Sequence, residues 1–206
     1  MGGVGDWEER IQQMQGLASS SALWNLGTVE RPPEGAEEKF FTFACGSKYL
    51  GQASGFTPHG IGTWVWKKDG AIYTGEFKDG HMNGRGKMMW SDGDYYNGDF
   101  IKDCVHGEGE YVYNNGNKYV GGFKRGQRHG EGTMYYCDGS RYVGWWFQDK
   151  RNGTGIGISK KGKEVPGFWE EDKLVTEMTR LEFDVFWNSL KAHGGRKINR
   201  MVKHDS

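Results

Sequence analysis

The residues best suited to chemistry recur at fixed intervals. His59, Asn83, His106, His129 and Asn152 follow one another with a period of 23 that stretches to 24 once, each just before a glycine. Imidazoles in series suggest a metal. Zinc, however, needs its nitrogens ~2.0–2.1 Å from one ion, whereas side chains one such period apart on a hairpin sheet sit two strands, ~9.6 Å, from each other. His or Asn before Gly suits a turn instead. The run from Gly157 to Glu164 nearly spells a phosphate loop, but Glu164 stands where Ser or Thr must hold magnesium. Asn152-Gly153-Thr154 is a glycosylation sequon, here only the periodic Asn and its glycine. Met1-Gly2 would suit myristoylation, except that position 6 is Asp6. Cys45, Cys104 and Cys137 are widely separated and form no CxxC pair, which reads as reduced thiols and not a disulfide or zinc framework. No Ser/His/Asp, Cys/His or paired-carboxylate arrangement stands out. No catalytic residue, no metal and no cofactor are expected.

The interval itself is the dominant signal. Copies begin at Tyr73, Tyr96, Tyr119 and Tyr142, and an earlier one begins at Tyr49, where a single residue is inserted before the next. Counting the first Tyr as zero, Gly recurs at +2, +11 and +13, an aromatic at +4 and a turn Gly near +20. Phe43 and Gly46 match the end of a preceding half copy, while Val165, Gly167 and Trp169 begin a following one. The pattern YxGxFxxGxxxGxG resembles that of the MORN (membrane occupation and recognition nexus) repeat family. The resemblance covers about two-thirds of the chain. It departs from the family at Ala53, in the aromatic place, and at Asp103 and Asp149, in the +7 glycine place.

Residues two apart share a strand face, so Tyr73, Gly75 and Phe77 point one way together with Gly84, Gly86, Met88 and Trp90. Each copy reads as one hairpin closed at Asp92-Gly93, Asn115-Gly116 or Asp138-Gly139, dipeptides of tight turns. Glycine weakens a strand, but here each leaves a hole that a neighbouring ring can cover. The expected fold is mainly β: an open single-layer antiparallel meander of tandem hairpins, with a C-terminal α-helix and a partly irregular N-terminal segment. Ten strands at ~4.8 Å would make a ribbon about 48 Å wide.

Composition agrees with that reading. Glycine, at 35 of 206 residues, does not fall at every third place, which excludes collagen, and 15% aromatics argue against disorder. Balanced charge, 27 basic against 27 acidic, argues against nucleic acid as a partner. No apolar run reaches membrane-spanning length and no secretory signal is read. Four segments follow. Residues 1–42 form an acidic segment and linker, with a short helix suggested by Trp7, Ile11 and Met14. Residues 43–169 form the repeat array, 170–193 an amphipathic helix stopped by Gly194-Gly195, and 194–206 a basic tail. Positions 1–38 carry seven acids and two bases, the tail four bases and one acid.

Function then rests on surface. The resemblance implies a non-enzymatic scaffold or adaptor that binds a partner peptide or helix on the aromatic face. It also implies a cytoplasmic, cytoskeletal setting, namely the axoneme of a cilium or flagellum. The candidate contact residues are Tyr73, Tyr96, Tyr119 and Tyr142 at the first position and Phe77, Phe100 and Phe123 at +4. Trp64, Trp66, Trp90, Tyr111, Tyr113 and Tyr136 at +15 and +17 complete the face. The alternative is a phospholipid-associated tethering module, as implied by related arrays in junctophilins and plant lipid kinases. An anionic lipid calls for a basic stripe, yet +12 and +14 read Ile61/Thr63, Arg85/Lys87, Glu108/Glu110, Glu131/Thr133 and Thr154/Ile156. MORN-like sheets also accompany methyltransferases, but the short stretch after Val165 leaves little chain for such a part. On the helix, Leu174, Met178, Leu181 and Val185 form one apolar stripe, and Phe183, Phe186, Trp187 and Leu190 a second. One stripe is expected to pack on Trp169. The other, carrying Phe183 and Trp187, is expected to dock a partner or a second copy of the chain.

Overall fold

The computed structural model describes residues 38–192. The expected N-terminal helix and the basic tail lie outside the described residues. Two compact units divide between Asn114 and Asn115. In the first, β1 (Lys39–Thr42), β2 (Lys48–Ser54), β3 (Thr57–Val65), β4 (Ile72–Lys78), β5 (His81–Met89), β6 (Tyr95–Ile101) and β7 (Cys104–Val112) each pair antiparallel with the next. The second contains β8 (Lys118–Lys124), β9 (Gln127–Tyr135), β10 (Arg141–Phe147), β11 (Lys150–Ile158), β12 (Glu164–Glu170) and β13 (Lys173–Glu177), paired in the same way. The helix α1 (Arg180–Ala192) follows. The fold is mainly β, an open single-layer antiparallel meander with a C-terminal helix. The half copies add β1, β12 and β13 to the ten strands of the five full copies.

Register follows the sequence period. Tyr73 stands opposite Trp64 on one side and Met88 on the other, and Gly75 opposite Gly62 and Gly86. Tyrosines, glycines and the side chains at +15 therefore share one face, the tyrosine face. Its buried rings form the core of each unit.

The turns differ from expectation. At Asp92-Gly93 only the glycine is left-handed, and Trp90 N–H donates to the Asp94 carbonyl at 2.9 Å, which makes a longer loop. The tight two-residue turns lie instead at +6 and +7. Both residues are left-handed there even without glycine, as in Lys102-Asp103 and Gln148-Asp149. The histidines are not turn residues either. His59, His106 and His129 lie within β3, β7 and β9, and the left-handed angle falls on the glycine after each.

The C-terminal helix starts later than the sequence suggests. Residues 170–177 are not helical, because Glu171 and Asp172 are both left-handed and turn the chain back into β13. The helix begins after Thr179, whose backbone N–H donates to Glu182 Oε2 at 2.7 Å while Glu182 N–H donates back to Thr179 Oγ1 at 3.3 Å. That reciprocal pair is a capping box. The helix lies against β11 and β12. Its Arg180 bonds Glu164 at 2.6 Å, a residue that alternation places with Pro166 and Phe168 on the face opposite the tyrosines. Thr154, Ile156 and Pro166, on that same back face, are buried. Phe183 points inward at 4% exposure, while Leu181 and Val185 stand out at 75% and 65%. The stripe expected to dock a partner thus supplies the buried ring, and Leu181 and Val185 of the stripe expected to pack are exposed. Trp169 is not the docking point, since its ring lies among those of the tyrosine face.

Candidate functional site: the aromatic face

Each first-position tyrosine lies flat over a floor of paired glycines. Tyr49, Tyr73, Tyr96, Tyr119 and Tyr142 are essentially without solvent exposure. Every hydroxyl donates to a carbonyl three positions on: Tyr49 to Gln52 at 2.5 Å, Tyr73 to Glu76 at 2.9 Å and Tyr119 to Gly122 at 3.1 Å. A Cβ at Gly86 would come within 2.3 Å of the Tyr73 hydroxyl, and one at Gly155 within 2.1 Å of that of Tyr142. Burial pushes the phenols of Tyr49, Tyr73, Tyr96 and Tyr142 well above the ordinary tyrosine value, so they remain neutral donors. The rings interlock edge to face. Tyr73 meets Phe77 of its own copy at 5.1 Å and Phe100 of the next at 5.0 Å, and Tyr142 meets Trp146 and Trp169, both at 5.3 Å. Such pairs add ~0.5–1.5 kcal/mol each beyond buried area.

Toward the +17 edge of the first unit the rings are only partly buried. Phe43 stacks on Trp64 at 4.4 Å, and Trp64 meets Trp66 at 5.9 Å. Trp90 stacks on Tyr111 at 5.3 Å, and Tyr111 meets Tyr113 at 4.5 Å. Asp94 fixes this second cluster by accepting from the Tyr111 hydroxyl at 2.7 Å and from Asn114 N–H at 2.8 Å. In the second unit the same columns hold Met134, Tyr136, Gly157 and Ser159. The partly exposed aromatic rim therefore belongs mainly to the first unit.

A family model described as MORN repeat matches residues 73–95, 96–118 and 119–141, the copies that begin at Tyr73, Tyr96 and Tyr119. The chain carries three tandem MORN repeats. A curated relative is phosphatidylinositol 4-phosphate 5-kinase 1 of Oryza sativa subsp. japonica, 42% identical over 57 residues. That stretch is 27% of this chain and only 7% of the kinase. Two solved structures are similar at low scores. The TCP domain of Drosophila melanogaster SAS-4 (dCPAP), in complex with a proline-rich motif of Ana2 (dSTIL), gives a TM-score of 0.37 at 16% identity, covering 68% of this chain and 96% of that one. The TCP10 domain of Danio rerio CPAP, with a STIL peptide, gives 0.34 at 13%, covering 66% and 71%. Neither likeness bears on the function of this chain.

Among the candidate contact residues, the structure separates two groups. Tyr73, Tyr96, Tyr119, Tyr142, Phe77, Phe100, Phe123 and Phe183 are buried and offer no surface. All but Phe183, which seats the helix, hold the MORN sheet together. Trp64, Trp66, Trp90, Tyr111, Tyr113, Tyr136 and Trp187 retain partial exposure, and all but Trp187, on α1, line the tyrosine face. Among the described residues no three His, Cys, Asp or Glu side chains gather as metal ligands would, and no helix is long and apolar enough to cross a membrane.

Two further residues carry more than their types suggested. Arg128 backbone N–H and Nε donate to Asp149 Oδ1 at 2.9 and 3.1 Å, and its Nη2 donates to the Asp149 carbonyl at 2.6 Å. The guanidinium sits 4.5 Å from the Trp146 ring centre. Arg151 repeats this with Asp172 at 3.0, 3.1 and 2.7 Å and with Trp169 at 4.4 Å. An Arg at +9 thus clamps the Asp at +7 and the Trp at +4 of the following MORN copy. Of the +7 aspartates that break the family pattern, Asp149 is thus the anchor of an arginine clamp, while Asp103 follows a copy with Met82 at +9 and instead accepts from Met82 N–H at 2.8 Å and meets His81 Nδ1 at 2.5 Å.

Proposed function

We propose that this protein is a non-catalytic interaction module that holds a polypeptide segment on the partly exposed rim Trp64–Trp66–Trp90–Tyr111–Tyr113. The observation that carries this reading is the contrast on one face: rings at 0 and +4 are sealed, while those at +15 and +17 of the first unit remain partly open. Large, partly exposed aromatics clustered in pairs are what an interface anchors on. Equivalent rings recur every second strand, ~9.6 Å, close to the ~9.3 Å rise of one three-residue turn of a polyproline II helix. The segment that fits is a polyproline II stretch that turns an apolar side chain to the rim at every third place. The setting proposed is a cytoskeletal assembly of the cilium or flagellum.

A membrane-tethering role is the second reading, favoured by the kinship of one stretch to a phosphoinositide kinase. Against it, two cations of the first unit's back face are engaged: Arg85 bonds Asp99 at 2.7 Å, and the Lys87 ammonium lies 5.0 Å from the Tyr95 ring centre. Proximity labelling in ciliated cells compares the wild type with Trp66→Ala/Tyr113→Ala. Loss of labelled cytoskeletal neighbours, with an unchanged strand-type far-UV spectrum, is the expected result. Identical neighbours for both proteins, or flotation of the wild type with phosphoinositide vesicles, would overturn it.

A further inference from the structure

The strand β13 closes the second unit with an open edge. Among the described residues it pairs with β12 only, and all five of its residues are exposed, Val175 to 54% and Leu174 to 37%. An edge of unpaired N–H and C=O groups is a template for another strand. In every full copy the corresponding strand is nine residues long and is followed by a further hairpin strand. Here Thr179 caps α1, which turns onto β11 and β12 and leaves the β13 edge clear.

The sequence of that edge, Lys173-Leu174-Val175-Thr176-Glu177, reads as its own complement when laid antiparallel to itself. Centred on Val175, it sets Lys173 opposite Glu177 of a second strand, twice, with Val175 against Val175. A slide by two positions breaks both pairs, and in one direction it brings Glu171 opposite Glu177. Opposite charges across an antiparallel pair stabilise, and like charges repel. We propose that β13 is a self-association edge, joining two copies of this chain about a two-fold axis with Lys173 of each copy paired to Glu177 of the other. The occupant is a second copy because the charge pattern fits itself, and a two-fold contact is isologous, the same patch meeting itself. The register shift between Phe168 and Trp169 opposes the pairing, since it leaves Val175 without a partner in β12, and a bulge commonly guards an edge. Five residues also bury far less than the ~1,200 Å² of a stable interface, so the dimer is weak and depends on concentration.

Sedimentation velocity of the full chain tests this between about 2 and 200 µM, the range over which a weak interface of this size fills. The weight-average sedimentation coefficient should rise with concentration for the wild type. Lys173→Glu and Glu177→Lys should each weaken association about tenfold, by turning both cross-strand pairs into like charges. Mixing the two variants is decisive. One variant strand is then acidic at both charged positions and the other basic at both, so each cross-strand pair is again opposite in sign and the mixture should associate like the wild type. Both sites are exposed, and circular dichroism of each variant checks that folding is intact. A wild type that stays monomeric, or a mixture that stays as weak as its components, would overturn the proposal.

Discussion

Gly86→Ala should destabilise the protein although it replaces glycine in a strand, where alanine ordinarily stabilises by ~0.5–1 kcal/mol. Gly86 has no left-handed backbone angle to lose. The obstacle is the ring above it. A Cβ there would stand 2.3 to 2.5 Å from the hydroxyl, Cε2 and Cζ of Tyr73. Tyr73 has nowhere to retreat, being fully buried, bonded to the Glu76 carbonyl at 2.9 Å and held between Phe77 and Phe100. Displacing the ring forfeits ~2–3 kcal/mol of burial and ~1 kcal/mol of hydrogen bonding. Partial relaxation recovers some of this, leaving a net loss of about 3 kcal/mol, a large share of a typical domain's total. Urea denaturation followed by far-UV signal should show the midpoint falling by ~1–2 M. In a Tyr73→Ala background the same substitution should cost under ~1 kcal/mol, because the clash is gone. A neutral or stabilising Gly86→Ala in the wild-type background would refute the ring-on-glycine account.

Arg151→Met should lower the stability of the last hairpin by ~1 kcal/mol, and Arg151→Lys nearly as much, since an ammonium cannot fork to both Asp172 oxygens. Hydrogen exchange of β13 amides reads this directly. Phe183→Asp should lower the melting temperature markedly, at ~3 kcal/mol for a buried ring replaced by a charge, while Leu181→Asp should change it little. His129, beside Phe147 at 5.4 Å, has its pKa lowered by burial and then by Lys124. The unfolded chain therefore takes up the proton first, so stability is level above the ordinary imidazole value and falls as pH drops through and below it. His129→Gln should flatten the urea midpoint between about pH 5 and pH 8.

The period carried most of the fold. A recurring tyrosine, with glycines in register, defines strands, faces and pairing, because alternation along a strand leaves no freedom about which side a ring takes. Depth was not legible. Whether Tyr73 stands up toward a partner or lies flat on Gly75 and Gly86 depends on the hydroxyl's bond to Glu76, a contact that alternation does not encode. The rim could be told from the ladder only once burial was known. The start of the helix was misplaced because apolar spacing over Leu174 and Met178 mimics a helix. The repeat phase from Val165 to Asp172, and the Thr179-x-x-Glu182 capping box, were the signals that distinguish strand from helix there.

The arginine clamps have a consequence for how such an array can change. Each is directional: the cation belongs to one copy, and the carboxylate and indole to the copy after it. Neighbouring copies are therefore not interchangeable tiles but words in a fixed order. Duplicating the copy that begins at Tyr142 would be read correctly, because the first Arg151 would find a second Asp149 and Trp146 ahead of it. Moving that copy ahead of Tyr119 would set Arg151 against Phe123 and Gly126, with neither an indole nor a carboxylate to hold. An array built this way should lengthen most readily at its C-terminal end, by whole-copy duplication, and resist any shuffling of the copies it already holds.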